Sequence, residues 1–151
     1  MTPAPATAPA ADVIAAARLW LGTPYHNQAA LRGVGCDCLG LARGLWADMG
    51  GTPVSEVPVY TRDWGEVGRR ELLAEGLRRY LVECDPVQCL PGSLVVFRMR
   101  VQAIAKHVGI LTDSGSFIHS YERLGVIEEP LTGAWRRRIV FAFQFPCPRH
   151  E

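Results

Sequence analysis

Two cysteines flank one acid in Gly33-Val34-Gly35-Cys36-Asp37-Cys38-Leu39-Gly40-Leu41-Ala42, and two histidines follow in β-rich runs, His107 in "KHVGILTD" and His119 in "SFIHSY". Such a set could form a metal clip, a redox pair or a single reactive thiol with a bystander. Structural zinc sites use gaps of about two to four residues on tight turns. Cys36 and Cys38 are separated by one residue, and Cys84 and Cys89 flank a turn at Pro86 with no glycine knuckle, so the zinc pattern fits poorly. A redox pair carries about two intervening residues at a helix start, which this doublet lacks.

The reading that remains separates the two thiols. Asp37 stands where a helix N-cap belongs. Cys38 then falls in the first helical turn, where unpaired N–H groups and the macrodipole favour an anion, so a lowered thiol pKa is expected there. Cys36 lies before the cap and outside that field. Cys36, Cys84, Cys89 and Cys147 read as small buried hydrophobes.

A nucleophilic cysteine needs a base. His26 lies in a loop and His150 in the C-terminal tail. His107 and His119 are more informative together, because "TDSGS" between them can form a type I turn with Gly115 in the left-handed bulge position. That loop pairs Thr112 with Ser116 and sets His119 opposite Gly109, which leaves room for a ring. The histidines become diagonal neighbours on one face, close enough to touch. The geometry permits His107 as base with His119 orienting it.

These groups need elements to hold them. Asp12 can cap a helix running to about Leu21, with Val13, Ala16, Ala17 and Trp20 on one face, and Gly22-Thr23-Pro24 stops it. A polar, glycine-rich loop covers residues 25–35. A second helix runs from near Cys38 to near Met49, with Leu41, Leu45 and Met49 recurring every fourth residue before Gly50-Gly51 ends it. Residues 52–64 form a Pro-punctuated connection. "GEVGRRELLAEGLRRYLVEC" has helical period, with Val67, Leu72, Leu73, Leu77 and Leu81 as its buried stripe. After Gly92, "SLVVF", "HVGIL", "SFIHSY" and "IVFAFQF" are β-rich, with a further short strand near Val126. Helices followed by an antiparallel sheet make an α+β domain.

The 151 residues, 48% hydrophobic, suit one core, with a domain over 12–146, a disordered Ala/Pro tail over 1–11 and a short tail over 147–151. A net charge of +1 with 21% charged residues lacks the basic footprint of a nucleic-acid binder, and Arg69-Arg70 and Arg136-Arg137-Arg138 read as solvated faces. No segment is apolar and long enough to span a membrane. "MTPAPATAPA" has no basic region before an apolar core, so the general secretory route is not expected and synthesis in the cytoplasm is. Five cysteines, an odd number, argue against a disulfide framework.

The motifs "LGTPYHNQAA", "GCDCLGLARGLW", "LPGSLVVF", "KHVGIL" and "FIHSY" together resemble the NlpC-type cell-wall peptidases, papain-like cysteine enzymes, over nearly the whole chain. The resemblance implies a papain-like fold and hydrolysis of peptidoglycan stem peptides, typically at the D-γ-glutamyl–diamino acid bond, with no cofactor. It implies Cys38 as nucleophile, His107 as general base, His119 as third polar member and Tyr25 as the tyrosine beside the nucleophile. Asp37, matching the acid before the nucleophile, and His26 are the substrate-binding candidates. The likeness is nearest to phage-tail members, including those of gene transfer agents: Leu39 stands where secreted members carry serine, "YTRDWGEVGRRELLAEGL" fills an insertion, and a secretion signal is missing. It implies phage-like tail or baseplate partners and action at the periplasmic wall from within such a particle. A structural tail-tip component with little hydrolase activity is the alternative. Ser93 stands where the family's "PGD" has its acid.

Overall fold

Asp37 starts the element on which the site depends. In the computed structural model, which describes residues 6–52, 54 and 70–147, its carboxylate accepts the Gly40 N–H at 2.7 Å and caps a helix. The elements in chain order are α1 (Ala10–Arg18), the two-residue strands β1 (Ala30–Leu31) and β2 (Gly35–Cys36), α2 (Cys38–Asp48) and α3 (Leu72–Arg78). Then come β3 (Val82–Cys84), a 3-10 turn (Pro86–Gln88), β4 (Leu94–Phe97), β5 (His107–Leu111), β6 (Ser116–Tyr121), β7 (Gly125–Pro130), α4 (Gly133–Arg136) and β8 (Ile139–Gln144). The six larger strands form one antiparallel sheet in the order β3-β8-β4-β5-β6-β7. The domain is α+β, as its pattern of helices followed by strands requires.

The two faces of the sheet carry separate cores. Leu94, Val96, Val108, Ile110, Ile118 and Phe143 face the helices and pack with Val13, Ala17, Leu41, Leu45, Leu73 and Leu77. Full burial of each large aliphatic side chain contributes about 1.5–3 kcal/mol. The opposite face gathers Val95, Phe97, Leu111 and Phe117 under Trp135 of α4. α1 is fastened to α2 by Trp20, whose indole N–H donates to Asp48 at 2.8 Å. Its ring lies where a Cβ at residue 44 would sit 2.1 Å away, so only glycine fits there.

Several expectations shift. Asp12 does not cap α1: the N-cap position is Pro9, without a side-chain cap bond, and Asp12 lies within the first turn, where an acid favours the dipole. The tail expected over residues 1–11 is tied down from residue 6, since Ala8 N–H bonds to Phe145 O and Cys147 N–H to Ala6 O, both at 2.8 Å. The helix expected through Cys84 stops at Arg78, and residues 82–84 instead pair with β8. Val67 and His150 lie outside the described residues. Cys147 is exposed and Cys84 and Cys89 are half-buried, so only Cys36 among the bystander thiols is fully buried. Ser93 is buried, its hydroxyl donating to the Leu90 carbonyl. No helix among the described residues is long and apolar enough to cross a membrane.

Candidate active site

The loop before α2 is held in place by backbone bonds. Tyr25 bridges Cys36 in parallel, His26 N–H donates to Cys36 O at 3.1 Å, and Cys36 N–H donates to Pro24 O at 3.0 Å. Asp37 accepts Gln28 N–H at 2.7 Å in addition to Gly40 N–H, so one carboxylate joins the loop to the helix start. Gly40 permits this approach: a Cβ there would lie 1.7 Å from the Ala29 carbonyl oxygen. Ser120 of β6 donates to Cys36 O at 2.8 Å and ties the loop to the sheet. Cys36 is wholly buried in this arrangement, and burial pushes its thiol pKa up.

Cys38 is the first residue of α2 and its thiol donates to the Lys106 carbonyl at 3.5 Å, one residue before His107. The hairpin register is the one expected, with Ile110 opposite Ile118, Leu111 opposite Phe117 and Gly115 at φ 74°. It brings the two imidazoles together: His107 Nε2 lies 2.7 Å from His119 Nδ1. The room left by Gly109 is taken by Phe117 and Phe97, whose ring carbons would lie 3.0 and 3.2 Å from a Cβ there, rather than by His119.

The chain of polar contacts continues to a residue that sequence reasoning missed. His119 Nε2 lies 2.7 Å from Glu129 Oε2 on β7. β6 and β7 pair with His119 opposite Ile127 and Phe117 opposite Glu129, so Glu129 is the diagonal neighbour of His119. The sequence signal was the turn 122–124 closed by Gly125, which fixes that register; without it, the two adjacent acids in "VIEEP" cannot be told apart. His119 is 0% exposed, enclosed by Phe117, Tyr121 and Trp135 at ring distances of 4.4, 5.2 and 5.3 Å.

Burial sets the resting charge. It pushes the Cys38 thiol up to about 12, against the pull of the Val108 backbone bond, and Asp37 adds to the rise. The lowered thiol pKa expected from the helix start is therefore reversed, because desolvation outweighs the helix field. Burial, with His119 adding, pushes His107 down to about 3. Burial also lowers His119, opposed by Glu129. Burial thus disfavours the charged forms of the thiol and of both imidazoles.

A cavity of about 490 Å³ opens over Cys38 and His107, lined also by Tyr25, Ser120 and Tyr121, with Met99 and the Glu122-Arg123 turn. The structure thus gathers Tyr25, Cys38 and His107 at one opening and places His119 behind His107. Asp37 and His26 are not among the lining residues. Asp37 is 2% exposed and engaged as a cap, and His26 is exposed with its ring against Gly35. Among the described residues, no three metal-ligating side chains are grouped to hold an ion.

Comparison with solved structures recovers the same architecture. An NlpC/P60 family protein from Bacillus cereus is 24% identical, with TM-score 0.64, over 93% of this chain and 41% of that one. The NlpC/p60 domain of the peptidoglycan hydrolase SagA is 20% identical, with TM-score 0.63, over 90% and 98%. The peptidoglycan hydrolase RipB from Mycobacterium tuberculosis is 18% identical, with TM-score 0.50, over 95% and 70%. The chain spans less than half of the Bacillus cereus protein's length. No curated protein sequence matches the chain. The NlpC/P60 family model matches residues 22–144, a span that contains every residue of the site, and the chain belongs to that family.

Proposed function

We propose that the chain is a cysteine peptidase that hydrolyses peptidoglycan stem peptides at the bond between D-γ-glutamate and a diamino acid. The observation that carries this reading is the opening of Cys38, at the start of α2, into a cavity shared with His107, whose Nε2 is already engaged by His119 at 2.7 Å. Two of its structural neighbours are peptidoglycan hydrolases, which supports the substrate class.

This reading implies the following chemistry. With Nε2 occupied, Nδ1 of His107 takes the Cys38 proton as sulfur attacks the scissile carbonyl. The oxyanion is met by the Cys38 backbone N–H and the Tyr25 hydroxyl. Collapse forms a thioester and expels the amine, which receives the proton from His107. Water, deprotonated by His107, then releases the acid and the free thiol.

In this reading the enzyme belongs to a phage-like particle, carried in a tail or baseplate and acting on the periplasmic wall. The sequence features supporting that setting are Leu39 in place of serine and the insertion after α2. Mass spectrometry of muropeptides after digestion tests the chemistry: new products ending in D-γ-glutamate are expected, and an unchanged muropeptide profile contradicts it.

A further inference from the structure

We propose that Glu129 is a positioning residue that sets the proton arrangement of the histidine pair and so makes His107 able to accept the Cys38 proton. This rests on the reading of Cys38 and His107 as nucleophile and base. An N···N contact of 2.7 Å holds one proton and one lone pair, since two protons clash and two lone pairs repel. The His107–His119 contact therefore has two possible directions. In one, His107 Nε2–H donates to His119 Nδ1, and His107 Nδ1 keeps a lone pair, available to the Cys38 proton across the cavity that both residues line. In the other, His119 Nδ1–H donates to His107 Nε2, and His107 carries its proton on Nδ1 and is no base for Cys38.

The far end of the chain decides between them. His119 is 0% exposed, so its second nitrogen has no water to turn to, and its partner is Glu129 Oε2 at 2.7 Å. A carboxylate only accepts, so His119 Nε2 must carry the proton. Nδ1 of His119 then carries the lone pair, His107 must donate to it, and His107 Nδ1 is left basic. When the thiol proton moves to His107 Nδ1, the new imidazolium keeps its Nε2–H bond to His119, and the Glu129 charge stabilises the cation through the second ring. No proton leaves the chain of residues. Trp135 packs against both rings, 5.3 Å from that of His119 and 6.0 Å from that of His107, and helps to bury His119.

Among the described residues, the ionisable groups around the pair include Cys38 at the start of α2 with its N-cap Asp37, Tyr121 from β6 and Glu129 from β7, and the cavity that His107 lines also carries Tyr25, Glu122 and Arg123. Glu129→Gln keeps size and bonding capacity, but its amide can donate to His119 Nε2 and so permits the reverse direction. Glu129→Ala removes the acceptor. Long-range ¹⁵N–¹H spectra of the imidazoles in labelled protein read the tautomers directly. Wild type is expected to show Nε2–H on both rings. Glu129→Gln is expected to show His107 carrying Nδ1–H in a substantial fraction, with iodoacetamide alkylation of Cys38 slowed at least about tenfold, part of the effect of a lost general base. Wild-type tautomers in both variants overturn the proposal. So does slower alkylation with the tautomers unchanged, which marks a packing role alone. The spectra need no substrate, so an enzyme that leaves peptidoglycan intact while showing these tautomers refutes the hydrolase reading and not the role of Glu129.

Discussion

Asp37 offers a sharp test, because the sequence suggests a substrate contact and the structure gives it a different task. Its two carboxylate oxygens each accept a backbone N–H at 2.7 Å, from Gln28 and Gly40, at 2% exposure. A hydrogen bond to a charged group contributes about 1.5–3 kcal/mol net. Asp37→Asn keeps one acceptor and turns an amide NH₂ toward the other N–H, so one such bond is lost, about 1.5–3 kcal/mol. Asp37→Ala loses both, about 3–6 kcal/mol. For a domain of this size each kcal/mol lowers Tm by about 2–4 °C, which puts the asparagine variant roughly 3–12 °C below wild type and the alanine variant about twice as far. Thermal unfolding followed by circular dichroism measures both, and steady-state kinetics on wall fragments gives the accompanying KM. An asparagine variant with wild-type Tm and a raised KM would refute the capping role and return Asp37 to the substrate.

Other perturbations probe neighbouring parts of the frame. Gly40→Ala places a Cβ 1.7 Å from the Ala29 carbonyl and forces the loop off α2, so urea denaturation should show a loss of at least about 1–3 kcal/mol; wild-type stability would show that the loop yields freely. His107 takes a proton near 6.5 when unfolded but only near 3 in the folded protein, so unfolding free energy should fall as pH drops from about 6.5 to about 3, by at most about 1.4 kcal/mol per pH unit. His107→Gln should flatten that slope in denaturation curves, and an unchanged slope would assign it elsewhere. His119→Ala should lower kcat/KM about 100-fold or more while the far-UV spectrum remains folded, and an unfolded spectrum would make its role one of packing.

What could be read in advance was what local chemistry dictates. The Asp37 cap, the course of α2 and the Gly115 hairpin follow from short-range rules, and the hairpin alone brings His107 to His119. The strand at Val82–Cys84 was hidden because Leu72, Leu73, Leu77 and Leu81 keep helical spacing up to its edge, while the pairing that makes it a strand comes from residues 142–144 at the far end of the chain. Asp12 looked like a cap but lies inside a helix that starts earlier, after Pro9. At Cys38 the helix field that favours a thiolate is visible in sequence, whereas the burial that opposes it is not. Glu129 escaped for a related reason: its meaning depends on the β6–β7 register, which sets one of two adjacent acids diagonal to His119.

The most direct test of the account compares Cys38→Ala with Cys36→Ala in release of stem-peptide fragments from purified peptidoglycan. Cys38 lines the cavity beside His107, whereas Cys36 is 0% exposed and outside it. The expected result is no release above background with Cys38→Ala and most of the wild-type rate with Cys36→Ala. Equal loss in the two variants, or full activity without Cys38, would contradict the assignment of the nucleophile.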